Sequence, residues 1–173
     1  MRINLFGPVL LAGAVLLSDG AIAQQGTAGC RPAGSAIVAQ TWQCDGGVTI
    51  VAENGAQYRL RDSDRDGRID IVELSGKALL LDVEGKSRRK TFRVNTPQAI
   101  AAVRGTRWAV DVAEGKTSVF VVRGSVNVGH RTSHGRNVVL GPGEGVDVEA
   151  SAPLVVKRWA PARVSALMAR LGQ

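Results

Sequence analysis

The feature that most constrains this chain is its rhythm of short strands. From Ala36 onward, runs rich in Val, Ile and Thr last only a few residues before Gly or Asn interrupts them. Such runs, with turn signals every 8 to 12 residues, predict a mainly β fold. "GVTIVAE", Gly47–Glu53, stops at Asn54-Gly55, a strong turn signal. "AQYRLR", Ala56–Arg61, alternates, with Tyr58 and Leu60 on one face. Ile69 and Ile71 share a face, and Ser75-Gly76-Lys77 predicts a turn into "ALLLDV". Trp108, Val110 and Val112 fall together, and "TSVFVV" is apolar on both faces, as in a strand buried on both sides. About ten strands are expected, in a β-solenoid-like or sandwich core. The alternation does not choose between the two.

Only the end of the chain breaks this rhythm. In "PARVSALMARL", Val164, Leu167, Met168 and Leu171 recur at helical spacing, with Pro161 in the first turn and Gly172 at the stop. A C-terminal amphipathic helix is expected to cap the β core.

The first residues have a different purpose. Arg2, the apolar run Leu5–Leu17 and "AIA" at Ala21–Ala23 form the three parts of a secretory signal peptide, residues 1–23. The apolar run is too short to span a bilayer, which needs ~20 residues. Cleavage would leave no transmembrane span and a periplasmic or secreted protein. The net charge of +7 is unchanged, because Arg2 and Asp19 are removed together. In that compartment Cys30 and Cys44 form a disulfide pair. Residues 24–45 then read as a loose leader tied down by that bond, 46–150 as the β domain, and 151–173 as linker and helix. Location and the 4% aromatic content argue against nucleic acid. A basic exported protein can meet anionic partners, and Lys86, Arg88, Arg89 and Lys90 are the best candidates to bind one.

"RDSDRDGRIDIVE", Arg61–Glu73, has the spacing of an EF-hand calcium loop. Asp62, Asp64, Asp66 and Asp70 would offer carboxylates and Arg68 its carbonyl, hard oxygen ligands that suit calcium. The flanks are strands, so the loop should bridge a hairpin, and Glu73 falls out of the ligand set. The affinity expected of such a module is on the order of 10⁻⁴ M. A metal-free alternative has Arg61, Arg65 and Arg68 neutralise the turn. His130 and His134 form H-x-x-x-H, but lie in a polar Gly-bounded segment that reads as a surface turn. Neither G-x-S-x-G nor any triad or metal dyad is present, so the expectation is no enzyme.

"TPQAIAAVRGTRWAVDV", continuing through "GKTSVFVVRGSVNV" and "VVLGPGEGVDV", resembles the FecR-domain family. The residues that carry the resemblance are Thr96, Pro97, Val103, Arg104, Gly105 and Thr106. From their chemistry, Arg104 should tether a carbonyl or carboxylate, Gly105 should permit a bend, and Thr106 should bond within the turn. The resemblance implies a β-solenoid-like periplasmic domain that senses or scaffolds through protein contacts. Without a cytoplasmic domain of its own, it would dock on a membrane-bound sensor or another envelope protein. From a different class, the alternative is a calcium-stabilised structural or anionic-ligand-binding envelope protein.

Overall fold

A computed structural model describes residues 29–85, 91–132 and 136–173. The proposed signal peptide, the basic turn Lys86, Arg88, Arg89 and Lys90, and His134 lie outside the described residues. The early strands are β1 (Cys30–Ser35), β2 (Ala39–Cys44), β3 (Val48–Glu53), β4 (Gln57–Arg61) and β5 (Ile71–Val83). Then come β6 (Phe92–Asn95), β7 (Ala99–Val103), β8 (Arg107–Ala113), β9 (Lys116–Arg123) and β10 (Val126–His130). The last are β11 (Val138–Leu140), β12 (Glu144–Glu149), β13 (Lys157–Arg158) and the helix α1 (Pro161–Arg170). The mainly β class with a C-terminal helix holds.

Hydrogen bonding links the strands into one curled sheet, and β5 is its hinge. The first half of β5 pairs with β4 and, in parallel, with β6. Its second half pairs with β3 and β8. The expected turn at Ser75–Lys77 is instead a bend within a single strand. A bulge opposite Gln57 and a positive φ of 63° at Lys77 shift its side-chain alternation. Val72 and Leu74 face the core before the bend, and Leu79, Leu81 and Val83 face it afterwards. Two half-sheets thus fold over one core that also holds Phe92, Trp108, Val119 and Val126. Among the described residues only β5 and β6 pair in parallel, so the chain folds over on itself where a solenoid would stack parallel coils.

Asn54-Gly55 also behaves differently from a hairpin turn. Both β3 and β4 run antiparallel to β5, at successive positions along it. The Asn-Gly is a break between two stretches that share one partner. Where a loose leader is expected, Cys30–Cys44 holds β1 and β2, a hairpin that extends the sheet. Cys30 pairs opposite Cys44, and the two are disulfide-bonded.

The helix lies on the outside of the β3–β5–β8–β9–β12 half. Beneath it Ala78, Leu80, Ala109 and Phe120 gather with Trp159, Leu167 and Leu171 into a second apolar cluster. Trp159 stacks on Phe120 with ring centroids 5.0 Å apart, and the Arg163 guanidinium lies 3.5 Å above the indole. Arg163 donates to Asp147 and Ser118, and Arg170 reaches both Glu53 and Asp111. Hydrogen bonds to Asp111, then to Glu53, hold the Arg170 guanidinium above its ordinary pKa. Among the described residues no helix is long and apolar enough to cross a membrane.

Candidate functional site

The acidic loop bridges the hairpin of β4 and β5, as its flanks predict. Asp70 N–H closes it on the Arg61 carbonyl at 3.0 Å. Asp62, Asp64 and Asp66 can bring one carboxylate oxygen each within 4.8 Å of one another. Asp70 is not part of that group; its oxygens accept from the Ser63 amide and hydroxyl. The Asp62 carboxylate accepts from the amides of Asp66 and Gly67, and Asp66 accepts from Arg68 N–H. Three of the five predicted ligands therefore converge, and the loop is also braced by its own amides. Three oxygen donors so placed fit the chemistry of a hard cation.

The motif Val103–Thr106 is built into the junction of the half-sheets. Gly105 has φ 71°, and a Cβ there would stand 2.9 Å from Gly85 Cα. Only glycine allows that approach. Thr106 is fully buried; its hydroxyl donates to the Ser125 carbonyl at 2.9 Å and accepts the Ser125 amide at 3.3 Å. Its own carbonyl accepts from Val83 N–H. Arg104 departs from expectation: it is exposed and makes no hydrogen bond or ion pair among the described residues. It points away because Val103 on one side and Thr106 on the other are buried.

Thr96 and Pro97 form the turn between β6 and β7. Thr96 is buried, and its hydroxyl accepts Ala99 N–H at 2.8 Å. It lies 2.8 Å from the Thr117 hydroxyl, which donates to Gln98 Oε1. This ties the tip of β6 to the start of β9.

Beside that turn a cleft of about 670 Å³ opens, lined by Tyr58, Arg59, Glu73, Ser75, Pro97 and Arg131 among others. The volume lies in the range of ligand sites. Glu73 is its hub. Asn95 donates to the carboxylate at 2.8 Å, and Arg131 and Arg61 stand 3.5 and 3.9 Å away. Arg131 also donates to the Thr96 carbonyl at 3.0 Å. Burial pushes the Tyr58 phenol up in pKa, opposed by the Trp42 indole beside it. By sequence Arg131 falls in a surface turn and Glu73 drops out of the calcium-ligand set. No local signal could have joined them, since Arg131 and Thr96 are 35 positions apart. His130 ends β10, with Nδ1 buried and unpartnered among the described residues.

The FecR protein family matches residues 38–127, which include both motifs and the cleft's β4 and β5 walls. The chain belongs to the FecR protein family. Two crystal structures of a Parabacteroides distasonis protein described as a "putative anti-sigma factor" share the fold, each with a TM-score of 0.59. Their identities are 23% and 21%, and each match covers 75% of this chain. This FecR chain spans about three fifths of the length of those proteins, 60% in both cases. No curated protein matches it.

Proposed function

We propose that this FecR protein is an exported, non-catalytic module of envelope signalling that senses or scaffolds by contact with a membrane-bound sensor. The observation that carries this is how its polar groups are used. Thr96, Thr106 and Gly105 are consumed in joining strands, and the acidic groups Glu53, Asp111 and Asp147 hold the helix. What remains for function is surface, with Arg104, Ile100 and Val139 exposed. Family membership supports the signalling role.

Two experiments test it. Residues 1–23 fused to a leaderless alkaline phosphatase should yield active enzyme; inactive fusion would remove the export reading. A photo-crosslinking residue at Ile100 or Val139 should capture a membrane-bound sensor, whereas one at Ser165 on the helix should not. Equal capture from both faces, or capture of no envelope protein, counts against the proposal.

The convergence of Asp62, Asp64 and Asp66 favours a second reading, a calcium-stabilised envelope protein that binds an anionic ligand. Calcium should then raise the Tm, and Asp64→Ala should abolish the rise. A wild-type Tm indifferent to millimolar calcium ends this reading. Neutralising Lys86, Arg88, Arg89 and Lys90 tests the anionic-ligand part by salt-dependent binding to cell-wall preparations.

A further inference from the structure

We propose that the cleft beside Thr96-Pro97 is a recognition site for an extended peptide carrying an acidic side chain. The sheet has a gap beside this cleft. On one edge of β5, β4 and β3 pair in succession from Ile71 to Val83. On the opposite edge β6 pairs only as far as Glu73, and β8 resumes at Lys77. Leu74 and Gly76 therefore have a strand partner on β4 only, and Ser75 is the bulged residue between them. Leu74 and Ser75 of this gap line the cleft, together with Gln57–Arg59 of β4 and the Thr96-Pro97 turn.

An unpaired strand edge in a groove is matched by another extended backbone, which supplies the missing amide and carbonyl partners. A sugar or a small inorganic anion would leave that edge unmatched. The charge of the site selects the side chain. Arg59, Arg61 and Arg131 surround a single carboxylate, Glu73. Glu73 and the Thr96 carbonyl fix one Nη of Arg131, so its remaining donors are pre-aimed. Arg59 lies directly across from Glu73 in the β4–β5 register, is exposed, and makes no ion pair with any described residue. Two guanidiniums on one cleft offer a carboxylate charge-assisted, fork-shaped hydrogen bonds. Asp147, Asp111 and Glu53 sit on the other half-sheet under the helix and do not reach this site.

The inference rests on the protein-contact reading above and locates the contact. Its test uses the full chain and three acetylated, amidated peptides, Thr-Val-Xaa-Val-Thr, with Asp, Asn or Lys at the centre. Titration is followed by amide chemical shifts. The Asp peptide should move the resonances of residues 57–59, 74–76 and 96–98, and the Asn and Lys peptides should bind at least about fivefold more weakly. Arg131→Gln and Arg59→Gln should each erase most of that preference. Arg59→Gln serves as the folding control, since that side chain braces nothing described. Equal affinity for Asp and Lys, or shifts mapping elsewhere, overturns the proposal. So does a response of these resonances to phosphatidylglycerol vesicles and not to the peptides, which would make this a lipid-headgroup site. If Arg59→Gln and Arg131→Gln leave envelope crosslinking from Ile100 intact, the cleft assignment falls and the protein-contact reading stands. If the peptide binds but no envelope protein crosslinks, the reverse holds.

Discussion

The two halves of the curled sheet present opposite outer faces. On the β3–β5–β8–β9–β12 half, the outward side chains are small or apolar: Ala78, Leu80, Ala109 and Phe120. Such a stripe must be covered, and α1 covers it with Leu167 and Leu171. On the β4–β6–β7–β10–β11 half, the outward row includes Arg59, Arg93, Asn127, Ile100 and Val139, and these are exposed. Both faces share the inner core, so the difference is not one of stability in the sheet itself. It shows where the chain spends its remaining apolar surface. One face is closed by the chain's own helix, and the other is exposed among the described residues.

The sharpest way to break this comparison is to delete matched side chains from the two faces. Phe120→Ala should cost about 3–5 kcal/mol, because it removes a buried ring stacked on Trp159. Ile100→Ala, on the open face, should stay within about 0.5 kcal/mol. Urea unfolding of both variants checks this, and similar losses would mean that the second face is also covered in the native state. Next in size, Thr106→Val should cost about 1–3 kcal/mol, since it strands the Ser125 carbonyl and amide at the junction shared by both halves. The same unfolding curves read this out, and a near-neutral result would remove Thr106 from the architecture.

Smaller effects separate the helix's anchors. Arg170→Gln should lower stability by about 1 kcal/mol, because its pairs with Glu53 and Asp111 are partly exposed and screened. High salt should shrink the difference from wild type. The smallest expected effect is a pH dependence at Asp147. Burial alone would raise this carboxyl; hydrogen bonds from Arg163 and Ser118 outweigh that and hold it below its ordinary value. A lowered folded-state pKa adds stability that is fully present above the unfolded value of about 3.9 and is lost as pH falls through the folded one. The Tm gap between wild type and Asp147→Asn should therefore be constant near neutrality and close in acid. A gap that widens in acid would contradict the sign.

Much of the fold was legible in particular residues. Period-two alternation placed Trp108, Val110 and Val112 on one face, and all three enter the main core. Helical spacing placed Leu167 and Leu171 on one stripe, and both are buried. Turn chemistry was legible too, but not its consequence. Asn54-Gly55 stops one strand and starts another, yet both pair with β5 and not with each other. Ser75-Gly76-Lys77 does redirect the chain, but pairing with β4 before it and β3 after it, along one edge, keeps β5 a single strand. Arg104 looked like an internal tether from its apolar flanks, and the alternation of the strand end turned it outward.

The sequence by itself determined most of the strand segments from Val48 onward, which end is a helix, which cysteines join, and that the acidic loop sits in a hairpin; it missed β1 and the continuity of β5. Those follow from local causes: side-chain period, β-branching, glycine and the spacing of carboxylates. Only the tertiary structure decided which strands are neighbours, and so which face the helix closes and where the cleft opens. The cleft depends on β6 stopping at Glu73 and β8 resuming at Lys77, on the same edge of one strand. Arg59 and Glu73 face each other in one hairpin, whereas Arg131 and the Thr96-Pro97 turn come from segments farther along the chain. They meet because β4, β5, β6, β7 and β10 pair side by side in one half-sheet, an outcome set by pairing between distant segments.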